Sequence, residues 1–74
     1  MVVIGKCRLP HLMRLRGITA SQLCDRSGLS QPQVSDYIHN RRVMSLKTAR
    51  IVAGVLLCSI DDLYEWIETE DEAR

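Results

Sequence analysis

The chain has no phenylalanine, and its only aromatic residues are Tyr37, Tyr64 and Trp66. Its core must therefore be aliphatic, which suits packed helices. Long apolar runs are also missing. Nothing approaches the roughly 18 consecutive apolar residues of a membrane span, and the apolar start Met1–Ile4 is too short for a signal-peptide core. Cys7, Cys24 and Cys58 are odd in number and widely spaced, which argues against a disulfide framework. These absences point to a cytoplasmic protein with no membrane contact. No nucleophile–base constellation is visible among the two histidines, His11 and His39. Cys7 and His11 have i, i+4 spacing, half of a metal set, but no second pair accompanies them. The expectation is a non-enzyme with no catalytic residues, no metal and no cofactor.

What is present is one small domain. The 74 residues show no repeat, low-complexity stretch or internal linker. A chain of this length buries only about 60% of its unfolded surface. Composition is ordinary for a soluble globular protein, at 46% hydrophobic and 26% charged. Net charge is +1, but the charge is polarised. Residues 1–50 carry nine basic side chains (Lys6, Arg8, Arg14, Arg16, Arg26, Arg41, Arg42, Lys47, Arg50) against Asp25 and Asp36. Residues 51–74 carry Arg74 against seven acids, from Asp61 to Glu72. A basic body suits a polyanion partner; an ordinary body with a solvated acidic tail explains the same asymmetry equally well.

Periodicity favours helices, and the only strand-like run is Val2–Ile4. A first helix is expected over Leu9–Arg16, with Pro10 in its first turn and Gly17 at its end. A second follows Thr19 as N-cap and runs from Ala20 to Ser27, closed by Gly28. A third begins after Ser30, which has capping-box spacing to Gln33, and ends at Asn40. A fourth begins after Ser45, with Leu46, Ala49, Val52, Ala53, Leu56 and Leu57 at three- and four-residue steps. A fifth is expected after Ser59, with Asp61 and Asp62 against the positive end of its dipole. The expected organisation is an extended segment over 1–8, the helical domain over 9–68 and an acidic tail over 69–74.

The second and third helices have the spacing of a bihelical unit, from Thr19 to His39. Cys24 is a small residue where the helices approach, and Gly28, four residues later, tolerates an unusual turn. Leu23, Leu29, Val34 and Tyr37 supply an inner side. The outer side of the third helix is short and polar. These residues, ITASQLCDRSGLSQPQVSDYIHNRR followed by MSLKTARIVAGVLLCSIDDL, resemble the Cro/CI-type (XRE) helix-turn-helix family. The resemblance covers Leu9 to Leu63 and implies an all-α, five-helix, lambda-repressor-like fold. It also implies sequence-specific binding of double-stranded DNA with helix 3 in the major groove.

Carried over, the resemblance makes Gln31 the leading base reader, with an amide suited to adenine N6/N7. Pro32 is placed to touch a thymine methyl. Asp36 is placed to accept from cytosine N4 or to exclude a wrong base, with Gln33 and Ser35 beside it. Phosphates fall to Thr19, Ser21, His39, Asn40, Arg41 and Arg42. Where many relatives bury an Arg–Glu pair, this chain has Met13 and Ile38, so an apolar contact is expected. Where relatives usually have glycine, after helix 3 and after helix 4, this chain has Asn40 and Leu57, so a departure in the second turn is expected. The expected role is a repressor acting as a homodimer, with Tyr64, Trp66 and Ile67 as dimer contacts and Val2–Ile4 as a second. Nothing after helix 5 looks able to sense a small-molecule effector. The alternative is a module or antitoxin of the same fold that acts through a protein partner.

Overall fold

Hydroxyl caps set where most of the helices begin. The structure, a computed structural model, describes residues 1–69. A strand, β1 (Val2–Cys7), leads into α1 (Leu9–Arg16), α2 (Ala20–Ser27), α3 (Gln31–Ile38) and α4 (Leu46–Leu56). Thr19 and Ser30 each form a capping box, with Gln22 and Gln33 respectively. Ser45 accepts from the Thr48 N–H at 3.2 Å. Each cap satisfies a helix-end donor that would otherwise need water. All four helices lie where the apolar spacing puts them.

The residues expected to form a fifth helix do not. Ser59 and Asp62 cap a single 3₁₀ turn, Ile60–Leu63, and the chain then extends as β2 (Tyr64–Glu68). The Ser59 N–H and hydroxyl hold the Asp62 carboxyl below the usual carboxylate range. β2 runs antiparallel to β1, with Val3 opposite Ile67 and Ile4 opposite Trp66. Among the described residues the fold is thus four α-helices with a two-stranded ribbon rather than five helices in an all-α domain. Tyr-Glu-Trp-Ile-Glu is rich in residues that favour strands but does not alternate strictly, since Trp66 and Ile67 are adjacent, and it extends because a partner strand lies beside it. That partner comes from the opposite end of the chain, so local periodicity does not reveal it. Thr69, expected in the tail, is tied to the ribbon: its N–H and hydroxyl donate to the Met1 carbonyl at 2.8 and 3.1 Å. Residues 70–74 of the expected tail lie outside the described residues.

The core is aliphatic. Leu9, Leu23, Val34, Val52, Leu56 and Leu63 are fully buried, and Leu12, Met13, Met44, Ala49 and Ala53 complete it. Tyr37 and Tyr64 are its two aromatics. Both strands of the ribbon are anchored to the loop between α3 and α4. The Cys7 N–H donates to Asn40 Oδ1 at 2.8 Å, and the Met44 N–H donates to the Tyr64 hydroxyl oxygen at 3.0 Å in a buried bond. Burial pushes the Cys7 thiol and the Tyr64 phenol above their ordinary pKa range, so both are neutral near pH 7.

α4 ends at Leu57, which takes a left-handed conformation (φ 56°) although it is not glycine. Arg16 steadies this end: its Nε donates to the Leu56 carbonyl at 2.8 Å and its Nη2 to that of Leu57 at 3.1 Å. A cation at a helix C-terminus is also favoured by the dipole. The Leu57 side chain is 76% exposed and contributes little burial. A side chain in left-handed backbone costs about 1–2 kcal/mol, partly offset by the greater unfolded-state freedom of glycine.

Two substitutions should therefore act in opposite directions in urea melts. Leu57→Gly should stabilise by about 0.5–1 kcal/mol. Tyr64→Phe should destabilise by about 1–3 kcal/mol, because it leaves the buried Met44 N–H without an acceptor. A neutral Tyr64→Phe would mean that water replaces the phenol.

Candidate nucleic-acid interface

The turn between α2 and α3 is built from short-range bonds. Gly28 sits at φ 80°, and its N–H donates to the Cys24 carbonyl at 2.9 Å. The Ser27 hydroxyl donates back to the Leu23 carbonyl at 2.6 Å and accepts from the Leu29 N–H at 3.2 Å. The apolar sides of α2 and α3 then meet in the core through buried Leu23 and Val34, with Cys24 and Leu29 half-buried beside them. The result is a helix-turn-helix whose second helix presents its outer side to solvent.

At the start of α3, Gln31 and Pro32 are exposed, and Gln31 makes no side-chain hydrogen bond among the described residues. Gln33 is half-buried, and its Oε1 accepts from the Ser30 N–H at 2.9 Å, so its oxygen serves the helix cap. Thr19 is similarly occupied, since its hydroxyl accepts from the Gln22 N–H and its own N–H donates to Gln22 Oε1. Ser21, in the first turn of α2, is exposed.

The end of α3 is more elaborate than the spacing suggests. Asn40 takes positive φ (61°). The Asn40 N–H donates to the Tyr37 carbonyl at 3.1 Å and the Arg41 N–H to the Asp36 carbonyl at 2.8 Å. These two bonds are the Schellman closure of a helix, here with asparagine where glycine is usual. The closure returns Arg41 to its own helix. Arg41 Nε donates to Asp36 Oδ1 at 2.9 Å and Nη2 to the Ser35 hydroxyl at 3.0 Å. His39 Nδ1 lies 2.9 Å from the Ser35 carbonyl oxygen. Ser35, Asp36, His39 and Arg41 thus form one surface network. Arg42 is exposed and makes no ion pair among the described residues.

From the sequence, Arg41 and Arg42 are expected together at phosphates and Asp36 on the reading edge; the Asp36–Arg41 pair is not expected from it. Five residues separate the two, which is not a helical contact spacing. The available signal was Asn40, whose tolerance of positive φ permits the reversal. Asn40 is also a structural tie, because its Oδ1 accepts from Cys7. Met13 and Ile38 line one shallow apolar hollow together with Pro10, Gly17 and Ile18. Tyr64 is buried, while Trp66 and Ile67 are each 46% exposed on the ribbon. The Trp66 indole N–H donates to the Asp61 carbonyl at 2.8 Å. Burial, and then the nearby Asp62 charge, raise the Cys58 thiol pKa. Among the described residues no cluster of His, Cys, Asp and Glu could hold a metal ion, and no helix is long and apolar enough to cross a membrane.

A helix-turn-helix with a solvent-facing second helix is the architecture of a DNA-binding domain, and residues 8–69 match the Cro/C1-type HTH DNA-binding domain model. The chain belongs to that family. Among its relatives, it is 43% identical over 68 residues to the SPbeta prophage-derived uncharacterized HTH-type transcriptional regulator YopS of Bacillus subtilis (strain 168), covering 88% of this chain and 89% of that one. It is 33% identical over 60 residues to a second SPbeta prophage-derived uncharacterized regulator of that strain, YotL, covering 80% and 75%.

Proposed function

We propose that the chain is a transcriptional repressor that docks α3 in the major groove of a pseudo-palindromic operator as a homodimer. The observation that carries this reading is the open first turn of α3, where Gln31 and Pro32 are exposed on a capped helix and the Gln31 amide makes no hydrogen bond among the described residues. A glutamine amide in that position pairs bidentately with adenine N6/N7, and proline offers an apolar surface to a thymine methyl. Arg42, the exposed start of α2 at Ser21 and the imidazole of His39 are the phosphate contacts of this reading. The regulatory role is supported by the names of the relatives. A domain of this size represses by occupying a promoter.

The dimer is supported by the ribbon. Val3 and Ile67 face each other across the two strands and are 42% and 46% exposed. Ile4 and Trp66, on the other face, line a groove with Met44, Leu46, Ala49, Ile60 and Tyr64. Val2–Ile4 is apolar on both faces, the composition of a strand covered on both sides, while the Val3–Ile67 face is left partly open. A second copy covering that face satisfies this constraint, and two copies can span half-sites about 34–36 Å apart. Tyr64 takes no part in this contact because it is a core residue.

Selection of bound sites from random duplexes should return a pseudo-palindrome. Against that site, Gln31→Ala should remove about 1–3 kcal/mol of base discrimination at one position per half-site. Arg42→Ala should instead weaken operator and random DNA alike and lower the salt slope by about one. Equal loss of specific and random binding on Gln31→Ala would refute the reading of α3. Sedimentation should show a dimer that Ile67→Lys dissociates. A strict monomer at high micromolar concentration, with and without DNA, would exclude the dimer and favour a different protein as the ribbon's partner.

A further inference from the structure

Arg41 is not the unpaired cation that its place in the loop after α3 suggests. A phosphate contact there draws mainly on net positive charge, which a pairing carboxylate cancels. Arg41 is held by three bonds that converge on α3: its own N–H to the Asp36 carbonyl, Nε to Asp36 Oδ1 and Nη2 to the Ser35 hydroxyl. Two side-chain acceptors on adjacent residues fix the plane of the guanidinium. The ion pair is at the surface, with side chains 56% and 31% exposed.

Charge and direction separate the two possible roles. The Arg41–Asp36 pair is neutral, so it adds little to the counterion release that drives sequence-independent binding. A carboxylate on a DNA-facing helix also repels phosphates unless a cation covers it. What the pair retains is direction. The N–H groups of Nη1 and the second N–H of Nη2 are not used by Asp36 or Ser35, and they are the planar fork that matches two acceptors in one plane. In the major groove only guanine offers two adjacent acceptors, O6 and N7. Adenine and cytosine each place an amino donor on that edge, and thymine offers a single carbonyl beside a methyl.

We propose that Arg41 reads a guanine in each half-site through O6 and N7, with Asp36 and Ser35 as positioning residues that aim it. This rests on the docking of α3 in the major groove. Asp36 then acts through Arg41 rather than on cytosine, and Arg42 carries the neighbouring phosphate charge alone.

The test is site selection from random duplexes followed by anisotropy titrations at several salt concentrations, on the wild-type chain and on Arg41→Lys, Arg41→Ala, Asp36→Ala and Asp36→Asn. The selected half-site should contain one guanine that Arg41→Lys and Asp36→Ala both cease to prefer, each losing about 5- to 150-fold discrimination at that position. Arg41→Lys should leave random-DNA affinity and salt slope unchanged, because the charge is kept and only the fork is lost. Asp36→Ala should bind random DNA at least as tightly as wild type with an unaltered melting temperature. Asp36→Asn, which keeps an acceptor oxygen, should restore part of the guanine preference. Specificity preserved in Arg41→Lys, with equal loss on operator and random DNA in Arg41→Ala, would overturn the proposal and make Arg41 a phosphate contact. A selected site that lacks the guanine but still responds to Gln31→Ala would overturn it while leaving the docking of α3 intact. No enrichment by the wild-type chain would overturn both.

Discussion

The loop between α3 and α4 is gripped from both strands of the ribbon. The Cys7 N–H, at the end of β1, binds the Asn40 side chain, and the Tyr64 hydroxyl, at the start of β2, takes the Met44 N–H. These two bonds hold the ends of the loop that carries Arg41 and Arg42, and they join both strands of the ribbon to the residues that follow α3. Asn40 is the pivot. Its backbone reverses the helix, its reversal seats the Arg41 N–H on Asp36, and its side chain is spent on β1. Glycine would permit the reversal but could not make the tie.

The distribution of charge follows a physical economy. At the Met13 and Ile38 positions the chain is apolar and avoids the desolvation penalty that a buried ion pair seldom recovers in full. Its one ion pair among the described residues lies on the surface of α3, where desolvation is slight in the free protein. Such a pair adds little to stability. Its effect is geometric, since with Ser35 it holds the Arg41 side chain against α3.

Stability rests instead on a small aliphatic core and well-made helix ends. Three α-helices begin with hydroxyl caps, and α1 and α2 close on glycines at positive φ. Where glycine is missing, at Leu57, an arginine from α1 occupies the exposed carbonyls. The ribbon adds two strands but leaves apolar side chains uncovered, so the domain carries a surface that water disfavours. The element that braces the α3–α4 loop is therefore also the one that exposes Val3, Ile4, Trp66 and Ile67.

The four helices, their caps and the α2–α3 turn were legible in the sequence because each depends on residues within one or two helical turns of each other. Thr19, Ser30 and Ser45 mark starts by hydrogen bonds three residues long, and Gly28 marks a turn by its lack of a Cβ. The exposed placement of Gln31 followed from the same periodicity. The ribbon was not legible. Tyr64–Glu68 carries apolar residues that suit a helix end or a strand, and the choice was made by Val2–Cys7 from the far end of the chain. The Arg41–Asp36–Ser35 network and the Asn40–Cys7 bond were hidden for a related reason, since both depend on a backbone reversal and on a strand folded against it. Local bonding determined which helices form and which residues face out; contacts distant in sequence decided whether the last segment is helix or strand, and where Arg41 is aimed.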